Sequence, residues 1–441
     1  MNRSRSFRST NPDLRRQTQL PAVPIEQIEK RLYELLSPES FKPLRQGVGK
    51  KQQRLRERIL TLPVMMAVVL SLVYRRLPSL SELLRVLHLE GLMWVEPTSV
   101  SKQALCKRLM QLPVSLFAEV FEQVMARIHS SASAPSMPEI WQGVHQNFTA
   151  IWIADGSTLE ELRKKLKALS GSGTVLGGKM MMIVEAFTHH PVATWYNDDA
   201  KVNDKTFTDL ILEKLPRAGL LIFDLGFFKF PWFDEFTENQ KFFVTRLREK
   251  TSYCLIRCLS SGTFYRDEII QRGQYRSNPC KHPVRLVSVL WGNSWYYYLT
   301  NVIDPTLLSP QQVCELYRIR WRIEDAFSLT KRLLGLAYLW VGDTNGVQIQ
   351  IFATWIFYAV LNQLCTEVAV ALSQPRERIS SEIVFRGLYH FSRALLRGEH
   401  RDVVSYLVAH HHLLGLIKAT RKRHRQTEGH SELIWTQPCL S

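Results

Sequence analysis

The sequence contains no hydrophobic run of membrane-spanning length and no secretory signal pattern. Its longest apolar stretch, residues 60–74, is interrupted by Pro63 and falls short of the roughly 20 residues that a spanning helix needs. No N-terminal stretch joins a basic patch to an apolar core and a cleavage site. We therefore expect neither a membrane protein nor a secreted one.

Cysteine is also scarce, and its spacing argues against two kinds of small scaffold. The seven cysteines form no Cys-x-x-Cys pair, and their number is odd. A zinc knuckle requires paired cysteines and a disulfide framework requires an even set, so neither is expected. The pattern favours a cytoplasmic protein.

Acidic residues are few relative to basic ones. The chain has 57 Lys and Arg residues against 40 Asp and Glu residues, a formal net charge of +17 over 441 residues. This excess favours a polyanionic partner such as nucleic acid, because phosphate contacts release counterions. A merely basic surface is the alternative on charge alone. At roughly 150 residues per domain, the length allows two to four domains.

The N-terminal third is basic and helical in pattern. Residues 1–20 hold five arginines and a single acidic residue, which is typical of a basic arm. Apolar periodicity predicts helices over residues 25–36, 54–74 and 79–87. A linker rich in Ser, Ala and Pro follows at residues 130–138.

Beyond the linker, short apolar runs alternate with helical stretches, which is typical of an α/β layer. The predicted strands are residues 151–154, 180–187 and 220–223, with a helix over 204–215. Residues 253–300 are rich in Tyr, Val and Thr and are predicted as a β-rich segment. Helical periodicity returns from residue 309 and includes a buried helix at 349–364.

One predicted helix, within residues 97–113, suits a DNA-reading role. Ser101 is its predicted N-cap and Pro113 its predicted stop. Its inward stripe is Leu105, Leu109 and Leu112, and its outward face is Gln103, Lys107 and Gln111. This pattern favours the recognition helix of a helix-turn-helix, although any amphipathic surface helix shares it.

Two predicted strands each run into an aspartate. Asp155 follows residues 151–154, and Asp224 follows residues 220–223. Open α/β sheets place their ligands at the carboxyl ends of strands, so both carboxylates are candidates for a functional site. The alternative is structural, because Asp commonly begins turns. Together the two suggest a metal pair.

A third carboxylate lies on a predicted helix between residues 316 and 335. At about 100° per residue, four polar side chains share an arc of about 60°: Tyr317, Arg320, Glu324 and Lys331. Beside the arc runs a predicted buried stripe of Leu316, Ile323, Phe327 and Leu334. We expect this edge to line a groove. An ion-paired surface Glu is the alternative, and Asp325 is a rival carboxylate that points off the arc.

These residues carry a resemblance to a known family. The spacing Tyr317-x2-Arg320-x3-Glu324-x6-Lys331 matches all four positions of the YREK signature of DDE transposases of the insertion-sequence-4 type. Asp155-Gly-Ser-Thr-Leu159 and Asp224-Leu-Gly-Phe-Phe228 resemble the two aspartate blocks of those enzymes. Three blocks in the family's order, within residues 151–336, are far less expected by chance than one motif. Leu225 departs from the Arg often found after the second aspartate.

The resemblance implies an α/β fold, namely an RNase H-like mixed sheet with flanking helices, interrupted by a β-rich insertion, plus helical N- and C-terminal regions. The expected division is a basic arm and helical DNA-binding region at 1–138, a catalytic core at 139–248 and 304–365, a β-rich insertion at 249–303, and a helical C-terminal region with a basic tail at 366–441.

The resemblance also makes Asp155, Asp224 and Glu324 the catalytic carboxylates and the metal ligands. In-line displacement at phosphorus is served by two divalent ions about 3.5–4 Å apart, and such hard ions prefer carboxylate oxygens. We expect two Mg²⁺ ions, for which Mn²⁺ can substitute. Arg320 and Lys331 would contact DNA phosphate near the cut, with Tyr317 hydrogen-bonding beside them.

In this family the insertion can supply a Trp that stacks on a base flipped out near the cleavage site. Trp295 is the candidate, with Tyr296 as the alternative if the register slips by one residue. Core packing is an equally open interpretation of either side chain.

The expected function is transposition of an insertion sequence. The enzyme would hydrolyse DNA at the element ends and transfer the freed 3′-OH into target DNA, with a hairpin step suggested by the signature subgroup. Expected partners are double-stranded DNA, as terminal repeats and target, and a second copy of the chain on paired ends. A cytoplasmic, nucleoid-associated bacterial protein is implied. Two alternatives are a non-catalytic DNA-binding regulator derived from a transposase and an RNase H-like structure-specific nuclease without strand transfer.

Overall fold

The computed structural model describes residues 25–36, 45–46, 53–54, 59–75, 77, 79–131, 137–141, 143–159, 178–273, 279–334, 336 and 343–418. The predicted basic arm at 1–20, residues 132–136 of the predicted linker and the basic tail beyond residue 418 lie outside these described residues.

The chain forms two compact units, each assembled from separate stretches of sequence. One comprises Met1–Val124, Ser328–Leu361 and Ser380–Leu416, and the other comprises Met125–Phe327, Asn362–Ile379 and Ile417–Ser441.

Among the described residues the α-helices are α1 (Ile25–Leu35), α2 (Leu62–Tyr74), α3 (Leu80–Leu89), α4 (Lys102–Gln111), α5 (Val114–Ser131), α6 (Val144–Asn147), α7 (Thr208–Lys214), α8 (Phe230–Glu238), α9 (Pro310–Ile319), α10 (Arg322–Ser328), α11 (Thr344–Ala371), α12 (Ser381–Leu396), α13 (Val403–Ala409) and α14 (His411–Leu414).

The strands in the same part of the chain are β1 (Arg45–Gln46), β2 (Gln53–Arg54), β3 (Ile151–Thr158), β4 (Lys179–Glu185), β5 (Pro191–Asn197), β6 (Leu220–Ile222), β7 (Phe242–Arg246), β8 (Tyr253–Ser261), β9 (Tyr265–Arg272), β10 (Val284–Trp291) and β11 (Ser294–Thr300).

In the first unit, the predicted helix within residues 97–113 is confirmed as α4. Ser101 Oγ accepts the backbone N–H of Ala104 at 3.2 Å, which satisfies one of the unpaired donors of the first turn. The helix ends at Gln111, and its C-cap Leu112 is extended because the ring of Pro113 disfavours a helical conformation in the preceding residue.

The predicted helix over residues 54–74 is wrong at its start. Residues 53–54 form strand β2, which pairs antiparallel with β1, and α2 begins only at Leu62. Thr61 caps the helix by accepting the N–H of Val64 at 3.5 Å. Pro63 occupies the first turn, where a missing N–H costs nothing, so the helix begins where proline is tolerated.

The long apolar helix predicted at 349–364 is confirmed within α11. By length and composition α11 could cross a membrane, but 89% of its most apolar window is buried inside the protein. Burial of this kind is what the core helix of a folded domain shows.

The second unit is built on one nine-stranded sheet with the order β5-β4-β3-β6-β7-β11-β10-β9-β8. Strands β3, β6 and β7 are parallel neighbours, and the other pairings are antiparallel. The predicted β-rich segment 253–300 is confirmed as β8 to β11. Because β11 pairs with β7, this segment extends the core sheet.

One face of the sheet carries a buried cluster packed against α7 and α8, which we call the aromatic face. Its sheet residues include Ala154, Leu221, Phe223, Phe243 and Leu299. Successive side chains of a strand point to opposite faces, so the residue after each of these belongs to the other side, which we call the second face.

A buried ion pair ties the extended part of the sheet to the start of α9. Arg285 Nε and Nη2 donate to the two carboxylate oxygens of Asp267 at 2.7 and 2.8 Å, and both side chains are buried. Arg285 Nη1 donates to the carbonyl of Leu308 at 2.6 Å. The next residue, Ser309, is the N-cap of α9 and forms a capping box with Gln312. The sheet therefore fixes where α9 begins.

Candidate active site

The parallel register of β3 and β6 brings two predicted site residues to the same level of the sheet. Ile153 and Ile222 are the last partners in this pairing. Asp155 and Asp224 each lie two residues further along their segments, so they stand side by side beyond the paired part.

The two aspartates reach this position differently. The prediction that this strand ends before Asp155 is wrong. Strand β3 continues to Thr158 because β4 pairs with it antiparallel through this region. Asp224 does follow the end of β6, and its Oδ1 accepts the N–H of Gly226 at 2.6 Å. The pairing of β3 with β6 stops before Asp155, but the pairing of β3 with β4 continues past it. Asp155 therefore lies within an intact strand.

Both carboxylates lie on the second face. Ala154 and Phe223, which precede them, belong to the aromatic face. Alternation along the strands therefore turns Asp155 and Asp224 to the other side. Tyr298 lies on that side too, and its ring packs against that of Tyr317 from α9 with the ring centroids 5.4 Å apart. Tyr317, in the helix that follows β11, therefore packs on the second face.

Arg320 lies directly on one of the aspartates. Its Nη1 is 2.7 Å from Asp155 Oδ2, and both residues are 7% exposed. The other oxygen of Asp155 accepts the N–H of Gly156 at 2.8 Å. The residue predicted to contact DNA phosphate is therefore paired with a predicted metal ligand in this structure.

The electrostatics show that two other carboxylates act on Asp155. Burial raises the pKa of Asp155 to about 7. The Arg320 guanidinium opposes this rise in pKa, whereas the charges of Asp224 and Glu324 add to it. Repulsion of this kind falls off with distance, so both other carboxylates lie within interaction range of Asp155. A carboxyl titrating near neutral pH at a strand edge is typical of a functional site.

The donor set fits a hard divalent cation. All three side chains offer carboxylate oxygens, and Mg²⁺ commonly takes only one or two protein carboxylates while waters and substrate oxygens complete its shell. Among the described residues, no group of three His, Cys, Asp or Glu side chains is arranged as a ready ligand cluster. The Arg320 guanidinium instead supplies the positive charge beside Asp155.

The helix that carries Glu324 is interrupted, which corrects the prediction of one continuous helix. Arg320 N–H donates to Tyr317 O at 3.2 Å and Glu324 N–H donates to Trp321 O at 3.1 Å, both i to i+3 bonds. These tighter bonds separate α9 from α10. A single helical wheel with 100° per residue therefore does not describe the side-chain directions across the break. A π-helical segment, Leu329–Leu333, then follows α10.

The predicted buried stripe survives this break. Its members are at most 3% exposed: Leu316, Ile323, Phe327 and Leu334. These four residues therefore remain buried although the helical pitch changes between them. The part of the prediction that depended on burial is thus confirmed.

Glu324 and Asp325 are both exposed, but their surroundings differ. Asp325 Oδ2 accepts from Lys418 Nζ at 3.2 Å, whereas Glu324 contributes to the electrostatics of Asp155. Glu324 is therefore the carboxylate of this pair whose charge acts on Asp155.

Tyr317 and Lys331 are both half-buried. Burial raises the pKa of Tyr317, the Arg320 and Arg246 guanidinium groups oppose that rise, and the charge of Asp224 adds to it. Lys331 is half-buried in the π-helical segment.

Residues 150–359 match the family described as the transposase DDE domain, and this stretch contains all three carboxylates. This part of the chain is the DDE domain of a transposase. The chain is 23% identical over 272 residues to a putative transposase, y4zB, of Sinorhizobium fredii, which covers 60% of this chain and 72% of that protein. It is 25% identical over 158 residues to a probable transposase for insertion sequence element IS5377 of Geobacillus stearothermophilus, covering 34% of this chain and 41% of that protein.

A solved structure also resembles the transposase. It is a cryo-EM structure of the piggyBac transposase synaptic complex with hairpin DNA, with 10% identity and a TM-score of 0.34, covering 91% of this chain and 85% of that one. At that score the likeness carries no conclusion about this protein.

The structure separates the two stacking candidates of the transposase by sheet face. Leu299 belongs to the aromatic face, so alternation places Trp295 there as well, with the Arg266 guanidinium 5.4 Å from its ring. Tyr296 lies on the second face with Tyr298, and the Arg246 guanidinium is 5.6 Å from its ring. Trp295 thus lies on the opposite face from Asp155 and Asp224, and Tyr296, the alternative candidate, lies on the same face as these two aspartates.

The outer face of α4 in the transposase is as predicted. Gln103, Lys107 and Gln111 are exposed, while Leu105, Leu109 and Leu112 are buried. The connection from α3 runs from Glu90 to Ser101, which is longer than the roughly three to four residues of a helix-turn-helix turn. A role for this face in DNA binding stays a prediction.

Sequence reasoning missed two charged residues beside the aspartates of the transposase. Asp204 forms an ion pair with Lys179, with Oδ1 and Nζ 2.6 Å apart. Gly156 and Gly226 were the available signal, since a small residue beside each aspartate indicates that something approaches closely there. The identity of the approaching group could not be read from sequence because it comes from other segments.

Proposed function

We propose that this transposase is of the insertion-sequence-4 type, with an RNase H-like core in which Asp155, Asp224 and Glu324 are the catalytic carboxylates. The observation that carries the proposal is the shared level of Asp155 and Asp224 on one face of the sheet. The raised pKa of Asp155, to which both other carboxylates contribute, supports it further. The matching YREK spacing supports the subgroup.

The proposed reaction has two displacements at phosphorus. A water oxygen forms a bond to the phosphorus at an element end, and the bond to the 3′-oxygen breaks, which frees a 3′-OH. That 3′-OH then forms a bond to a target phosphorus while the target's own 3′-oxygen leaves. In the signature subgroup the 3′-OH can first attack the opposite strand and give a hairpin.

Two Mg²⁺ ions, or Mn²⁺ in their place, held by the three carboxylates would neutralise charge on the attacking and leaving oxygens. The other roles belong to the chain itself. Asp155 holds a proton below about pH 7 and gives it up when a cation binds. Arg320, which pairs with Asp155 in this structure, is the proposed phosphate contact, together with Lys331 and with Tyr317 beside them.

The proposed partners are the terminal repeats of the element, target DNA and a second copy of the chain on paired ends. Tyr296 is the proposed side chain for stacking on an unpaired base, since it lies on the second face. Lys107 and its neighbours on α4 are proposed to read DNA. We expect the protein to act in the cytoplasm, on DNA of the nucleoid.

The direct test uses labelled DNA carrying the termini that flank the gene, a target plasmid and Mg²⁺. Wild-type protein should give both cuts and strand-transfer products, and Asp155→Asn or Asp224→Asn should lower cleavage by at least about 10³-fold. Both variants should still shift the DNA in a gel. Undiminished cutting by either variant would remove that residue from the site. Cuts without transfer would indicate a nuclease, and binding alone would indicate a regulator.

Metal binding to the transposase should release a proton from Asp155. Because the pKa of Asp155 is raised to about 7, this carboxyl is mostly protonated at pH 6 and mostly ionised at pH 8. Mn²⁺ affinity should therefore be about tenfold weaker at pH 6 than at pH 8, with close to one proton released at the lower pH.

Calorimetric titration of DNA-free protein with Mn²⁺, in two buffers of different ionisation enthalpy, measures that proton count. Asp155→Asn should abolish the pH-dependent part. An affinity that does not change between pH 6 and pH 8 would contradict the assignment of Asp155 as a ligand.

A further inference from the structure

A glycine stands near each proposed catalytic aspartate, and one carboxylate touches both glycines. A side chain at Gly156 would overlap Oδ1 of Asp204, and a Cβ at Gly226 would lie 2.7 Å from Oδ2 of the same residue. The Asp204 carboxylate therefore fills the space that both glycines leave open. Only glycine allows this approach at the two positions.

The same two glycines orient the catalytic carboxylates. Gly156 N–H donates to Asp155 Oδ1 at 2.8 Å, and Gly226 N–H donates to Asp224 Oδ1 at 2.6 Å. Asp204 thus contacts the two backbone segments whose N–H groups fix the catalytic side chains. Any displacement of Asp204 changes the support of both.

Asp204 is itself anchored to the sheet. Lys179 Nζ is 2.6 Å from Asp204 Oδ1 and also donates to the carbonyl of Val202 at 3.1 Å. Lys179 is the first residue of β4 and pairs with Thr158, the last residue of β3. The pair is mostly shielded from solvent, with side-chain exposures of 13% for Lys179 and 19% for Asp204. An ion pair in such a setting holds its geometry better than one on an open surface.

The pair lies on the side of the sheet away from the catalytic carboxylates. Lys179 alternates with Met181 on β4, and Gly156 alternates with Ala154 on β3; both Met181 and Ala154 belong to the aromatic face. Asp155 and Asp224 are on the second face. Asp204 is therefore placed to act through the two glycine segments, from behind.

We propose that Lys179 and Asp204 are a positioning pair for the transposase reaction: they hold the Gly156 and Gly226 segments and thereby fix the angle between the Asp155 and Asp224 carboxylates. The proposal rests on the proposed function of those two aspartates. Groups that orient metal-binding carboxylates typically change metal affinity or activity by 10- to 100-fold when they are replaced. The effect should appear in cation binding and in the chemical step, and not in DNA affinity.

The test compares Asp204→Asn and Lys179→Met with Lys179→Arg, which keeps the pair, and with Asp209→Asn, an exposed carboxylate in the following helix. For Asp204→Asn and Lys179→Met we expect cleavage rates about 10- to 100-fold lower and Mn²⁺ affinity, measured by calorimetry without DNA, about tenfold weaker. Their DNA affinity should stay within about twofold, as for a residue that touches no DNA. Lys179→Arg and Asp209→Asn should behave like wild type.

Gly156→Ala provides a second route to the same result, because its methyl group displaces Asp204 without removing a charge. It should weaken Mn²⁺ binding in the same way. Wild-type Mn²⁺ affinity and cleavage in Asp204→Asn would overturn the proposal, and so would a parallel loss of DNA affinity and thermal stability, which would indicate a structural role only. Failure of the proposed function is recognised separately, because Asp155→Asn would then still cut.

Discussion

Glu324→Gln is expected to lower DNA cleavage by at least about 10³-fold, whereas Asp325→Asn should stay within about twofold of wild type. The two residues are adjacent, exposed and carry the same charge. The two variants therefore differ mainly in the surroundings of the carboxylate that is neutralised. Glu324 acts electrostatically on Asp155, and Asp325 instead pairs with Lys418 at 3.2 Å. Loss of a ligand carboxylate removes charge where the reaction needs it, while loss of an exposed ion pair is worth little.

Single-turnover cleavage of end-containing DNA with Mg²⁺ measures the difference, and gel shifts verify that both variants bind DNA equally. A large loss in Asp325→Asn with normal cutting by Glu324→Gln would transfer the third carboxylate role to Asp325. Wild-type activity in both variants would mean that neither Glu324 nor Asp325 is a ligand.

Arg285→Met is expected to lower the free energy of unfolding by about 3–5 kcal/mol, the usual cost of leaving one member of a buried ion pair without its partner. Arg285 is fully buried, bonds both oxygens of Asp267 and also donates to the carbonyl of Leu308. Without it, Asp267 would remain as an unpaired charge inside the sheet. The start of α9 would also lose its tie to β10.

Urea unfolding followed by tryptophan fluorescence measures the change. Arg266→Met is the matched control, because Arg266 is exposed and its ring contact with Trp295 is worth about 0.5–1 kcal/mol. The double variant Asp267→Leu with Arg285→Met should recover much of the loss, since no charge is then left buried. A loss below about 1 kcal/mol in Arg285→Met would show that Asp267 finds another partner.

Much of the local structure could be predicted from sequence because it is governed by neighbouring residues. Ser101 caps α4 as predicted, and the apolar runs before Asp155 and Asp224 are strands. The buried stripe beside Glu324 also holds, because burial depends mainly on apolar periodicity.

The errors arose where distant segments compete with local signals. Strand β3 runs past Asp155 because β4 pairs with it as far as Thr158. No residue near Asp155 in the sequence indicates that pairing. The helix before Glu324 breaks at three i to i+3 bonds although no Gly or Pro lies at the break. In both cases the packing of segments remote in sequence overrides the local pattern.

Sequence by itself determined the resemblance to a family: three carboxylates at a spacing and in an order similar to those of transposases. Only the tertiary structure decided their neighbours. It set Arg320 beside Asp155, placed Trp295 and Tyr296 on opposite faces of the sheet, and placed Asp204 behind both glycines. Residue types and periodicity are properties of a short stretch, whereas strand register and sheet face depend on pairings between residues far apart in the chain.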